Sequence, residues 1–160
     1  MIDEAVFDTG PLLHLGEIDS KELLEIFGKI YTTSTVEEEL ELPGVEISSV
    51  VKRKLEAESK DRAKHLADRK GLELGEATSI ALCLQEGIEY FFTDDLEARK
   101  TAETRGLEAH GTLAIVTRAY SLEIIEMEEA EQAIKDLYMD SSLFVTRDLV
   151  DWALEKIRKT

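Results

Sequence analysis

Apolar residues in this chain come in short runs separated by stretches with helical spacing, and the two patterns alternate. Ala5-Val6-Phe7 is apolar throughout and too short for a helix, which predicts a buried strand ended by Asp8-Thr9-Gly10-Pro11. Asp19 and Glu22 stand three residues apart, as in a capping box, and predict a helix running to Gly28. Lys29 to Thr33 predicts a second strand. Ser34 and Glu37 repeat the capping spacing and open a short helix that Pro43-Gly44 stops. From about Ser48 to Lys70 the chain is charged and weakly amphipathic, which predicts one or two exposed helices. Gly75 to Gly87 carries the strongest helical pattern, with Ala77, Ile80, Ala81 and Leu84 on one face. Ile88 to Thr93 then predicts a strand, Leu96 to Arg105 a helix closed by Gly106, Leu107 to His110 a fourth strand, and Thr112 to Tyr120 a helix. Two further helices, Met127 to Met139 and Thr146 to Lys159, complete the pattern.

Alternation of strand and helix over the first 120 residues predicts βαβ units. The fold class that follows is α/β in three layers, with a central, mostly parallel sheet and helices on both faces. At 160 residues the chain has the length of one domain, with 121–160 a C-terminal helical extension packed on it. Leu137, Tyr138, Phe144 and Trp152 are candidates for exposure on that extension, where they serve dimerisation or partner capture, or else close the core.

Composition changes this picture in two ways. A lone cysteine, Cys83, excludes an internal disulfide and a cysteine-based zinc site; together with an acidic start and no apolar run of membrane-spanning length, it predicts a soluble, cytoplasmic protein. Thirty-five acids against 19 bases give a formal net charge of −16. Such a chain does not grip a polyanion over a broad basic surface, so any nucleic-acid chemistry has to work locally, through bridging cations.

The acids themselves are the candidate chemistry. Ligands bind open parallel sheets outside the carboxyl ends of the strands. Two predicted strands end there in acid: Phe7 runs into Asp8, and Phe92-Thr93 into Asp94-Asp95. Glu76 opens the helix before the second of these strands, and Glu39 lies on the helix after strand two. Hard divalent cations take oxygen ligands of this kind, and unneutralised acids so gathered would raise one another's pKa. The plainer alternative for each is a helix cap or a solvated charge; Asp95 suits the cap of the next helix, and Glu39 has Glu37, Glu38 and Glu41 around it. His14, His65 and His110 show no ligand spacing. Arg99, beyond the aspartate pair, is placed to meet a phosphate or to pair with Glu97 or Glu103. Asp8-Thr9-Gly10 is not an aspartic-protease loop, since a helix-rich chain has no second copy of it. Nor is it a D-x-D-x-T phosphatase motif, because Gly10 stands where the second acid belongs.

Taken together, VFDTGPLLHL, TVEEEL, LELGEATSIALCL, FFTDDLEARKTAETRGLEAHGTLAIV and the closing SSLFVTRDLVDWALEKI resemble the PIN-domain superfamily, in particular its VapC-like branch. The resemblance implies a ribonuclease using Mg²⁺ or Mn²⁺. It puts the family's acidic positions on Asp8, Glu39, Glu76 and Asp94 or Asp95, and a small polar neighbour at Thr9 that donates to the metal shell or the phosphate. Spacing does not choose between Asp94 and Asp95, and Glu76 stands where the family often has Asp. By analogy, such a protein is a toxin held by a small antitoxin. A catalytically weak scaffold acting as a regulatory binding module is the alternative.

Overall fold

The computed structural model describes residues 1–40 and 50–159. Its centre is an all-parallel sheet formed by Ile2–Phe7 (β1), Phe27–Thr32 (β2), Val50–Lys52 (β3), Tyr90–Phe92 (β4) and Glu108–His110 (β5). The strand order is β3-β2-β1-β4-β5. The helices are Thr9–Glu17 (α1), Ser34–Glu39 (α2), Ala57–Lys70 (α3), Leu74–Glu86 (α4), Leu96–Glu103 (α5), Thr112–Ser121 (α6), Met127–Met139 (α7) and Arg147–Arg158 (α8), with a 3-10 turn at Lys21–Ile26. Among the described residues no helix is long and apolar enough to cross a membrane.

β1 is paired on both sides at its end, and Ala5, Val6 and Phe7 there are buried against helices on both faces. That is why its last residues are apolar without alternation. Ala5 and Phe7 face one layer, packed with Leu12 and Leu15 of α1, Ile115 of α6, Ile134 and Leu137 of α7, and Val150 and Ile157 of α8. Val6 faces the other, with Leu66 of α3, Ile80 of α4 and Ala98 of α5. The three-layer α/β/α arrangement expected from the sequence is thus present. Phe7 and Phe92, register partners on β1 and β4, stack with ring centroids 5.0 Å apart and fix the two strand ends side by side. At that place the strand order reverses, and an open parallel sheet has its crevice there.

Several expected elements differ. The helix from Asp19 to Gly28 does not form: Asp19 is left-handed at φ 54°, only the 3-10 turn follows, and Gly28 lies within β2. The helix of this segment is α1, which begins at Thr9, in the stretch expected to be a turn. Asp8 caps it, and Pro11 sits in the first turn, where the missing N–H has no helical partner to lose. The cap of α2 is Thr33, whose hydroxyl accepts the Val36 N–H, rather than Ser34. Part of the stretch expected to be helical up to Lys70 is β3, parallel to β2. The expected stop at Pro43-Gly44, the neighbouring Glu41 and the expected start at Ser48 lie outside the described residues. In the C-terminal pair, Leu137 is buried, whereas Tyr138, Phe144 and Trp152 are exposed.

Gly28 has a packing reason. A methyl group on it would stand 2.6 Å from the Asp3 carbonyl oxygen of β1, closer than any real contact. Gly28→Ala should therefore separate the two strands locally and cost about 1–3 kcal/mol, read as a lower urea midpoint. An unchanged midpoint would mean that β1 and β2 are not held at this spacing.

Candidate functional site

The acid at the end of β1 is held almost out of water. Asp8 is 8% exposed; its Oδ1 accepts the Thr9 N–H at 2.8 Å and its Oδ2 the Thr93 hydroxyl at 2.9 Å. Burial pushes its pKa up from 3.8 to about 6; the Thr9 and Thr93 bonds pull against this, and the charges of Glu39 and Asp94 add to it. Thr93 follows β4 directly, so the Asp8–Thr93 bond joins the two strand ends that flank the crevice.

Glu39, the last residue of α2, turns its carboxylate toward Asp8, and the Thr9 hydroxyl donates to its Oε2. Between them lies Gly75, in the first turn of α4. A methyl group there would be 2.9 and 3.1 Å from the Glu39 oxygens and 3.2 Å from Asp8 Oδ1. The two carboxylates therefore converge on the space left free by an absent side chain. Within the glutamate triplet the neighbours differ: Glu37 pairs with Lys52 at 3.4 Å on the surface.

Glu76, one residue on, is also 8% exposed. Burial raises its pKa from 4.5 to about 8, and the charges of Asp95, Asp8 and Glu73 and a hydrogen bond with Asp95 raise it further. Asp95 caps α5, its Oδ2 accepting the Ala98 N–H at 2.8 Å.

Asp94 is occupied otherwise. Its Oδ1 accepts the Thr112 N–H at 2.7 Å; its Oδ2 accepts the Thr112 hydroxyl at 2.6 Å and lies 2.6 Å from His14 Nδ1. Asp94 thus ties β4 to α1 and to the first turn of α6. Arg99 Nη1 and Asp94 Oδ1 both border Gly111, at 2.9 and 2.8 Å from where its side chain would be. Neither expected glutamate partner is paired with Arg99; Glu97 meets Lys100 instead, at 3.9 Å.

The structure thus gathers Asp8, Thr9, Glu39, Glu76, Asp94 and Asp95 at one sheet edge, with Arg99 at its rim. Sequence reasoning missed Gly75, Thr93, Thr112 and His14. Thr93 closes one predicted strand and Thr112 opens the helix after another, positions that signal a role at the crevice. His14 lies one helical turn into α1, a helix that was not expected. His65 is exposed, and burial pushes the Cys83 thiol up, as suits an inert core residue.

Among the described residues no three of His, Cys, Asp or Glu are already arranged to hold one ion. The pair across Gly75 nonetheless fits a hard divalent cation. It offers carboxylate oxygen donors, which such ions prefer, and mutual repulsion that a cation would relieve.

The raised pKa values set a pH dependence in metal-free protein. The folded state holds these protons more tightly than the unfolded chain, so stability is greatest at acid pH. It falls as pH rises above the ordinary values of 3.8 and 4.5, levelling off past about 6 for Asp8 and about 8 for Glu76. In EDTA, urea midpoints should fall across this window. Asp8→Asn should flatten the lower part and Glu76→Gln the upper, whereas a wild-type profile that rises with pH would contradict the strained cluster.

The chain matches the model of one family, described as PIN domain, over residues 4–159. No curated protein and no solved structure gave a significant match. PIN domains are in general nucleases that use divalent metals. The matched span takes in every acid of the site, and on that match the chain belongs to the PIN-domain family.

Proposed function

We propose that the protein is a Mg²⁺- or Mn²⁺-dependent endoribonuclease that hydrolyses RNA phosphodiester bonds at the Asp8–Glu39 cleft. The observation that carries this reading is the convergence of both carboxylates over Gly75, 2.9 to 3.2 Å from one point at the sheet's switch position. Asp8, Glu39, Glu76 and Asp95 are the acids that hold the ion. Support for Asp95 over Asp94 comes from its neighbour Glu76 and from the three donors that already engage the Asp94 oxygens. Asp94 is then a positioning residue.

A bound divalent cation supplies Lewis acidity toward the phosphodiester and its attacking water. The chain's own part is orientation. Thr9 steers Glu39, Thr93 and the α1 N-terminus hold Asp8, and the Arg99 guanidinium at the rim meets a phosphate oxygen. Neither histidine nor serine is needed as a nucleophile.

By the sequence resemblance, this is the activity of a VapC-like toxin. The exposed Phe144 and Trp152 of the C-terminal segment are then where a small antitoxin or a second copy docks. A second reading, a regulatory binding module with little catalysis, is favoured by one observation: no three of the acids already stand as a complete ligand set among the described residues.

Cleavage of a labelled single-stranded RNA separates the two. Purified protein should cut it with Mn²⁺ and not with EDTA. Asp8→Asn should abolish cutting while keeping the fold, and Glu39→Gln should lose most activity. Glu37→Gln, whose carboxylate faces Lys52, should cut like wild type. Full activity of Asp8→Asn would sink the nuclease assignment, and equal losses at Glu37 and Glu39 would misplace the second acid.

Binding should also show in thermal melts without any substrate. Because the ion binds only the folded arrangement, Mn²⁺ at ~100 times its Kd should stabilise wild type by roughly 2.7 kcal/mol. Asp8→Asn should lose most of this shift, and Glu58→Gln, on exposed α3, should retain it. Equal shifts in all three would mean that the acids hold no ion together.

A further inference from the structure

A groove runs along the β5 edge of the sheet on the face covered by α6 and α8, with a volume of about 360 Å³. Phe92, Ala114 and Leu122 contribute its apolar surface, Arg118 and Lys156 its charge, and His110 an imidazole ring. We propose that this groove holds one nucleotide of the RNA strand adjacent to the cleavage position, its base against the His110 ring and apolar floor, its phosphate against Arg118. The proposal deepens the nuclease reading and rests on it.

Position is the first argument. His110 ends β5, and its carbonyl accepts the Thr93 N–H at 2.9 Å. The next two residues, Gly111 and Thr112, are those against which Asp94 and Arg99 are set. The groove therefore opens beside the acid site. From there α6 carries it back along the sheet, since Arg118 lies 5.9 Å from the ring of Tyr90, the first residue of β4. A strand whose scissile phosphate sits at Asp8 and passes Arg99 can continue into it.

Charge is the second. The chain carries −16, yet among the described residues lining the groove none is acidic and two, Arg118 and Lys156, are cationic; the Glu108 carboxylate, 3.5 Å from His110 Nε2, is not among that lining. Arg118 forms no ion pair among the described residues, and its neighbours are the Tyr90 ring and the groove itself. In a chain with nearly twice as many acids as bases, a half-buried guanidinium left without a carboxylate is a positive spot in a negative field. Lys156 lies on the same groove, with its ammonium 4.9 Å from the Trp152 ring.

Shape and surface are the third. Ligand clefts begin at ~300 Å³, so one nucleotide fits and a folded partner does not. His110 lies tilted 5.8 Å from Phe92 and stacked 6.5 Å from Tyr90. An aromatic shelf beside a cation is the combination that holds single-stranded nucleic acid, whose bases stack while the backbone meets positive charge.

The test uses a fluorescein-labelled 2′-O-methyl oligouridylate of about twelve nucleotides, which resists cleavage, and reads its binding to the full chain by anisotropy in Mn²⁺ at several salt concentrations. Arg118→Ala should weaken binding roughly three- to tenfold and lower the salt slope by about one unit. Ser121→Glu, which puts a carboxylate into the groove from an exposed position, should weaken it as well. It remains decisive if Arg118→Ala proves unstable. Wild-type affinity in Ser121→Glu, or in a folded Arg118→Ala, overturns the proposal. So does an oligoglutamate peptide that binds in an Arg118-dependent way while the oligonucleotide ignores the substitution, because the groove then takes a protein. The nuclease reading is judged separately, by loss of cleavage in Asp8→Asn.

Discussion

Asp8 is a carboxylate kept almost out of water where the central strand ends, and much of the structure can be understood as the means of keeping it there. Its two oxygens are each met by a donor from a different element, the first turn of α1 and the end of β4. These bonds favour the charged form, yet burial and the nearby charges of Glu39 and Asp94 outweigh them and push the pKa to about 6. A shift of about two units corresponds to roughly 3 kcal/mol, a large share of the net stability of a small protein. Such a cost persists only where the surrounding fold over-determines the geometry. Here it does so through a strand paired on both sides and the stacked rings of Phe7 and Phe92 beneath the acid.

The second carboxylate is set by a buried hydroxyl network. Thr33 caps α2 and shares a 2.9 Å hydrogen bond with Thr78 of α4, while Thr78 and Ser79 turn their hydroxyls back on the carbonyls of Leu74 and Gly75. This fixes the helix carrying Glu39 against the turn carrying Gly75. Among the described residues no buried side-chain polar atom lacks a partner, so the network is one whose geometry burial reinforces. Glycine at 75 then follows from crowding: its neighbours are carboxylate oxygens at 2.9 to 3.2 Å, and any side chain would push the acids apart.

Much of this was legible in the sequence, because strong periodicity and strand-end chemistry are local signals. β1, α4, α6 and the C-terminal helices fall where the apolar pattern puts them, and the acids after Phe7 and Thr93 lie at one crevice as the alternation implies. What could not be read depends on tertiary context. α1 hid because Gly10 and Pro11 signal a turn until Asp8 is recognised as a cap, and once α1 was lost, His14 could not be placed near Asp94. β3 hid because three residues of an edge strand, two of them exposed, carry no buried pattern to detect. The contact that engages Asp94 comes from Thr112, eighteen residues away in sequence. Spacing alone had no access to it.

The whole-chain charge of −16 and a nucleic-acid substrate are compatible because of distance. At physiological ionic strength exposed charges are screened over about 8 Å, so a bound strand responds to the few groups beside it rather than to the sum. Along the path proposed for the strand, from Asp8 past Arg99 to the β5 edge, those groups change sign. At the start, two buried acids hold their protons up to about pH 6 and about pH 8 when no cation is present. At the end, the described residues lining the groove include the cations Arg118 and Lys156 and no acid. A polyanion is therefore repelled by most of this surface and by the empty acid cluster as its groups ionise. It meets attraction once a cation occupies the cluster, and at the rim and groove beyond. On the proposed function, acidity over the rest of the molecule works as selection. It disfavours binding out of register and makes productive contact depend on the ion.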